Sequence, residues 1–137
     1  MPIDVEIVTP NGLLLNRSVD AVVLPTLEGE VGILPGHIPL LTKVVRGELK
    51  LIDASRTDLI VVDNGFAEVV GNRVAVLTEG AVDIEDIDLK SIEAARDRAE
   101  KALEEARNSD IDPEEIEQLE TRLQFLLAQK FAKAGKH

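Results

Sequence analysis

Apolar residues change their period once along this chain. Up to about residue 86 they alternate in steps of two, and from residue 87 they recur every three or four. A period of two puts alternate side chains on one face of a strand, whereas a period near 3.6 puts them on one face of a helix. One segment cannot satisfy both, so the chain is expected to divide into a β part, residues 1–86, and an α part, residues 87–137.

In the β part, Ile3, Val5 and Ile7 alternate with Asp4 and Glu6, the pattern of a half-buried strand. Similar runs follow at 19–24, 31–34, 40–45, 48–53, 58–63, 66–70, 73–78 and 81–84. Asn11-Gly12, Gly47, Asp63-Asn64-Gly65 and Gly71-Asn72 punctuate them. Gly71-Asn72 stands between Glu68-Val69-Val70 and Arg73-Val74-Ala75-Val76, which reads as a two-residue hairpin loop. Many short strands with frequent turns predict an antiparallel β-sandwich. About 86 residues suffice for a modest core.

In the α part, Ile92, Ala95, Ala99, Ala102, Leu103 and Ala106 fall at helical spacing, as do Ile116, Leu119, Leu123, Leu126, Leu127 and Phe131. Asp112-Pro113 between them reads as an N-cap followed by proline at the first helical position, with Glu115 completing a capping box. Asp88 or Asp86 caps the first helix. The short connection predicts a two-helix antiparallel hairpin. Its seam is mostly alanine on one side and leucine on the other, so little area is buried. The hairpin is expected to be the less stable half and to need a surface to lie on.

Composition removes several function classes. The net charge of −11 repels a phosphate backbone, and Phe66, Phe125 and Phe131 are the only aromatic residues besides histidine. Nucleic-acid binding is therefore not expected. With no cysteine there is no disulfide or thiol chemistry. No run of about 18 apolar residues predicts a membrane span, and no basic-then-apolar leader is visible. The histidines are His37, in a turn, and His137, and no nucleophile elbow or phosphate-cradling glycine loop is present. The chain does not read as an enzyme. Asp83, Glu85, Asp86 and Asp88 lack the spacing of a calcium loop and read as carboxylates favouring a helix N-terminus, so no metal site is expected.

Residues 28–42, Glu-Gly-Glu-Val-Gly-Ile-Leu-Pro-Gly-His-Ile-Pro-Leu-Leu-Thr, hold one short strand between two turns. Gly29 turns the chain in and Pro35-Gly36 turns it out. Pro39 cannot donate to a central ladder, so this strand runs at an edge or ends at a loop. The string closely resembles the hallmark loop of the epsilon subunit of bacterial and organellar F-type ATP synthases. Val8-Thr9-Pro10-Asn11-Gly12, Asn64-Gly65-Phe66-Ala67-Glu68-Val69 and Asn72-Arg73-Val74-Ala75-Val76-Leu77 agree with that family in order and spacing. The resemblance is strong over residues 1–86 and looser beyond.

The resemblance implies a non-catalytic subunit of the central stalk. Its sandwich would link the gamma subunit to the c-subunit rotor ring, coupling ion-driven rotation to ATP synthesis. Its mobile hairpin would inhibit ATP hydrolysis through transient contact with the alpha and beta catalytic subunits. The chain would be a peripheral protein on the cytoplasmic face of the inner membrane or an equivalent energy-transducing membrane, held there only through the complex. Glu28, Glu30 and His37 become the rotor-ring or gamma contacts. The basic end of the second helix, Arg122, Lys130, Lys133 and Lys136, becomes an inhibitory contact for which Arg122 and Lys130 are the leading residues.

Many bacterial members carry Ile-Asp-x-x-Arg-Ala, which binds ATP, at the start of the first C-terminal helix. Here the residues are Ile87-Asp88-Leu89-Lys90-Ser91-Ile92. Serine replaces the guanidinium and removes a bidentate phosphate contact. Asp88 remains and Lys90 or Arg98 could compensate, but Asp88 reads mainly as a cap and no resident cofactor is expected. Two readings compete with the family reading. One is a stand-alone β-sandwich binding module, and the other is an ATP-sensing regulatory protein.

Overall fold

The computed structural model describes residues 2–135. They divide into two compact units between Ile84 and Glu85.

The first unit is a sandwich of two five-stranded sheets. Its strands are β1 (Ile3–Thr9), β2 (Gly12–Val19), β3 (Ala21–Thr26), β4 (Gly29–Ile33), β5 (Leu40–Val44), β6 (Gly47–Ile52), β7 (Thr57–Val62), β8 (Gly65–Val70), β9 (Arg73–Thr78) and β10 (Ala81–Asp83). One sheet runs β2-β1-β9-β8-β5 and the other β10-β7-β6-β3-β4. The strand that carries the 28–42 motif, β4, lies at a sheet edge and ends before Pro35, as a proline-flanked strand must. Alternate residues of each strand enter the core. Ile3, Val5 and Ile7 meet Val74 and Val76 within one sheet, opposite Val22, Leu24, Leu49, Leu51, Ile60 and Val62 of the other. Each such side chain contributes about 1.5–3 kcal/mol by leaving water.

Within the sandwich, two features depart from the sequence reading. The segment 12–19 is a strand, although only its last residue fell within an expected run. Leu13-Leu14-Leu15 shows no alternation because β1 and β2 shift register between Ile7 and Val8, where Ile7 faces Leu15 and Val8 faces Leu13. The bulge leaves Leu14 as the extra residue and puts both Leu13 and Leu14 toward solvent. The sandwich is also not wholly antiparallel, because β1 pairs parallel with β9, Val5 facing Val74 and Ile7 facing Val76. Residues this far apart in sequence need no tight turn, so either direction is open to them.

The hairpin between β8 and β9 has the expected two-residue loop, with Val70 paired to Arg73. Gly71 has φ +59° and no non-glycine residue has positive φ among those described. That is the II′ arrangement, whose twist matches the flanking strands.

The second unit is a pair of helices, α1 (Leu89–Arg107) and α2 (Pro113–Gly135). Asp88 caps α1, accepting from the Lys90 N–H at 3.2 Å and the Ser91 hydroxyl at 3.0 Å. Asp112 caps α2, accepting from the Glu114 N–H at 2.9 Å. Arg107 and Glu120 join the helices through an ion pair of 3.2 Å. Buried residues are Ala99, Leu103 and Ala106 on α1, and Leu126, Gln129 and Ala132 on α2. Phe131, assigned from spacing to the apolar seam, is instead exposed. Successive four-residue steps from Leu123 through Leu127 overshoot a 3.6-residue turn by about 40° each and carry Phe131 off the buried face.

Candidate functional site

The 28–42 motif is built from two turns that fix a short edge strand. Thr26 closes the first. Its hydroxyl donates to the Gly29 carbonyl at 2.7 Å and accepts from the Glu28 N–H at 3.3 Å, while Gly29 takes φ +105°. The device recurs at the β1–β2 hairpin, where the Thr9 hydroxyl donates to the Gly12 carbonyl at 3.3 Å, accepts from the Asn11 N–H at 3.2 Å, and Gly12 has φ +117°. In both turns a Thr-x-x-Gly spacing supplies a side-chain oxygen at the start and a positive φ at the end.

The second turn is Leu34-Pro35-Gly36-His37. The His37 N–H donates to the Leu34 carbonyl at 3.1 Å, and Gly36 has φ +79°. Proline then glycine in these positions gives a type II turn. The His37 ring is held too, with Nδ1 2.7 Å from the Ile38 carbonyl oxygen. A carbonyl only accepts, so Nδ1 is the donor in this contact. The Gly36 N–H donates to Asn72 Oδ1 at 3.1 Å, tying the turn to the β8–β9 hairpin.

These turns bring Glu28 and His37 onto one open hollow of about 560 Å³. Leu27, Leu40, Leu41 and Lys43 share its lining. Glu30 does not join them. It pairs across the strands with Lys50, at 3.2 Å. Along the edge of the sandwich formed by β4 and β5, Leu27, Leu34, Ile38 and Leu41 are all exposed, from 62% for Leu34 to 79% for Leu27. These side chains stand in water, where they gain nothing for folding.

A second apolar surface crosses the outer face of the β2-β1-β9-β8-β5 sheet. Cross-strand pairs join Leu13 to Val8, Val8 to Leu77, and Leu77 to Phe66. Leu13, Leu77 and Phe66 are exposed. The row lies at the end of β8 and β9 away from Asn72 and the Pro-Gly turn, about 13 Å along the strands.

Among the positions named on the second unit, Asp88 has both carboxylate oxygens engaged at the α1 N-terminus. Arg98 is exposed, about 15 Å further along the helix axis. The two do not form a common pocket. Arg122 is exposed and Lys130 half-buried, both on α2. Lys136 and His137 lie outside the described residues. Among the described residues no acidic or histidine side chains converge on a point that would hold a metal ion, and no helix is long and apolar enough to cross a membrane.

The β-sandwich model of the ATP synthase delta/epsilon chain matches residues 2–84. The chain belongs to the ATP synthase epsilon-chain family. It is 43% identical over 108 residues to the ATP synthase epsilon chain of Halalkalibacterium halodurans, covering 79% of this chain and 81% of that one. It is 47% identical over 98 residues to the epsilon chain of Nitratidesulfovibrio vulgaris strain DP4, covering 72% and 73%. Among solved structures, a chain of the Euglena gracilis mitochondrial ATP synthase, determined with OSCP, F1 and c-ring in rotational state 1, superposes with a TM-score of 0.70 at 26% identity. That match covers 96% of this chain and 81% of the other. A chain of the Tetrahymena thermophila central stalk and c-ring assembly shares the fold, with a TM-score of 0.60 at 16% identity.

Sequence reasoning missed Asn72 as a partner of the motif loop. Its only local signal was its place in the Gly71-Asn72 turn, and its partner Gly36 is 36 residues away.

Proposed function

We propose that this chain is the non-catalytic epsilon subunit of a rotary ATP synthase, a clamp in the central stalk between the gamma subunit and the c-subunit ring. The observation that carries the reading is a pair of separate exposed apolar surfaces on one rigid sandwich. A coupling element needs two docking surfaces on a body too stiff to absorb the torque between them. The edge strand β4 with its two flanking turns, carrying Glu28, Glu30 and His37, is the surface for the polar loops of the ring, where basic groups would meet the carboxylates through charge-assisted bonds. The row Leu13, Val8, Leu77 and Phe66 is the surface for gamma. The chain would reach the membrane only through this assembly.

The helical unit is the regulatory part of the reading. Extended into the catalytic head, it would present Arg122 and Lys130 to the alpha and beta subunits and obstruct hydrolysis. Such a switch requires two arrangements within a few kcal/mol of each other. The mostly alanine seam of α1 suits that requirement, since small side chains bury little area. ATP has no part in the reading, because Asp88 is engaged as a cap and Ser91 provides no guanidinium.

The test is ATP hydrolysis by an epsilon-depleted catalytic head containing gamma, with this chain titrated in. A saturable fall in rate, lost in a variant ending at residue 86 that still co-elutes with gamma, supports both parts. Co-elution without any fall in rate removes the inhibitory role and keeps the clamp. Absence of co-elution with gamma overturns the whole reading.

A further inference from the structure

The type II turn leaves one donor to be accounted for. In Leu34-Pro35-Gly36-His37 the turn bond uses the Leu34 carbonyl and the His37 N–H. Pro35 has no N–H, and the Gly36 N–H points away from the turn. It donates to Asn72 Oδ1 at 3.1 Å. Asn72 is itself anchored. It occupies the second central position of the tight β8–β9 loop, and its carbonyl accepts from the Asp4 N–H at 2.7 Å. One side chain therefore fastens the motif loop to the hairpin turn and, through the backbone, to the first residues of β1.

We propose that Asn72 is a positioning residue for the rotor-ring contact, the point at which the Pro-Gly loop is fixed to the sandwich that transmits torque. The proposal rests on the clamp reading above. The loop is joined to its strands only at Ile33 and Leu40, each at a sheet edge. Without a third attachment the exposed side chains of Leu34 and Ile38 would move with the loop, and ring docking would have to order them at an entropic cost. The Asn72 carboxamide removes that cost beforehand. It touches neither partner surface in this role and acts only through Gly36.

The test compares wild type, Asn72→Ala and Asn72→Asp in the full chain. Two quantities are read. The first is amide exchange at Gly36. The second is capture of the chain by detergent-solubilised c-ring carrying gamma, alongside its affinity for gamma alone. Aspartate keeps the Oδ1 acceptor, while alanine removes it. The expected result is Gly36 exchange about five-fold faster in the alanine variant, with ring capture weaker by a similar factor. Gamma affinity stays unchanged, and aspartate restores both. Should the alanine variant fail to fold by far-UV circular dichroism, Asn72→Gln, which displaces the acceptor by one methylene, carries the same comparison. Faster exchange with undiminished ring capture overturns the proposal, as does unchanged exchange. Failure of the wild-type chain to be captured overturns the clamp reading and this proposal together. It is distinguishable because it appears before any substitution is made.

Discussion

Arg17 and Asp58 join the two sheets at the side of the sandwich away from β4 and β5. The Arg17 Nη2 donates to Asp58 Oδ2 at 2.6 Å, from β2 in one sheet to β7 in the other. Asp58 also accepts from Arg56 at 3.1 Å. Charged bonds at partly buried positions contribute about 1.5–3 kcal/mol, and the second arginine will offset part of any loss at Asp58. Arg17→Ala should therefore lower stability by about 1–2 kcal/mol, and Asp58→Ala by somewhat more, since two cations lose their partner. Urea unfolding followed by far-UV circular dichroism measures both, as the chain has no tryptophan or tyrosine. The two losses should be far from additive in the double variant. Additive losses would mean that the bridge does not couple the sheets.

Gly65 has no room for a side chain. A Cβ there would collide with the Leu77 carbonyl oxygen and lie 2.7 Å from Thr78 Cα. Both are backbone atoms of the neighbouring strand β9, which cannot rotate away. Gly65→Ala should cost about 3 kcal/mol or more. Gly32 makes a control on β4, because a Cβ there meets nothing within 4 Å. Gly32→Ala should stay within about 0.5 kcal/mol of wild type. Equal stability of the two variants would show that β8 and β9 separate more easily than their pairing indicates.

The contrast between those glycines marks what a sequence makes legible. Strands β8 and β9 and their Gly71-Asn72 loop could be read locally, because strand period and turn chemistry lie within about a dozen neighbouring residues. The cap Asp112 was readable for the same reason, and the first cap was narrowed to Asp86 or Asp88, of which Asp88 caps α1. β2 was not, because a bulge opposite Ile7 and Val8 breaks the alternation that marks a strand. The parallel pairing of β1 with β9 had no local sign either. Among site residues, Glu28 and His37 came from resemblance to a family, and only the fold puts them on one hollow while sending Glu30 to Lys50. The bond from Gly36 to Asn72 spans 36 residues and lies beyond any periodic signal.

Asp88 offers a test of structure against ligand binding. Its two oxygens accept from Lys90 and Ser91. Asp88→Ala should remove about 1 kcal/mol from the stability of the helical unit, the usual loss for an N-cap. Asp88→Asn, which keeps an acceptor, should lose much less. Calorimetric titration of the wild-type chain with millimolar Mg-ATP should give no binding heat. A saturable heat abolished by Asp88→Ala would replace the cap reading with a nucleotide site.

Glu30 separates folding from docking. Its pair with Lys50 is exposed at Glu30, 59% at the side chain, and half-buried at Lys50, 35%. Pairs of that kind contribute little, about 0–1 kcal/mol, since water screens them and two long side chains must be ordered. Glu30→Gln should leave the unfolding midpoint nearly unchanged. If the carboxylate faces basic groups on the ring, the same substitution should weaken ring capture several-fold at low ionic strength. That deficit should shrink as salt shortens the screening length to about 8 Å at 0.15 M. Lys50→Ala should act in the opposite sense, because it releases Glu30 from an internal cation and frees the full carboxylate for the ring. Ring capture measured across a salt series for the three chains decides the matter. Identical salt dependence would assign Glu30 to the sandwich surface and leave docking to the apolar residues of the loop.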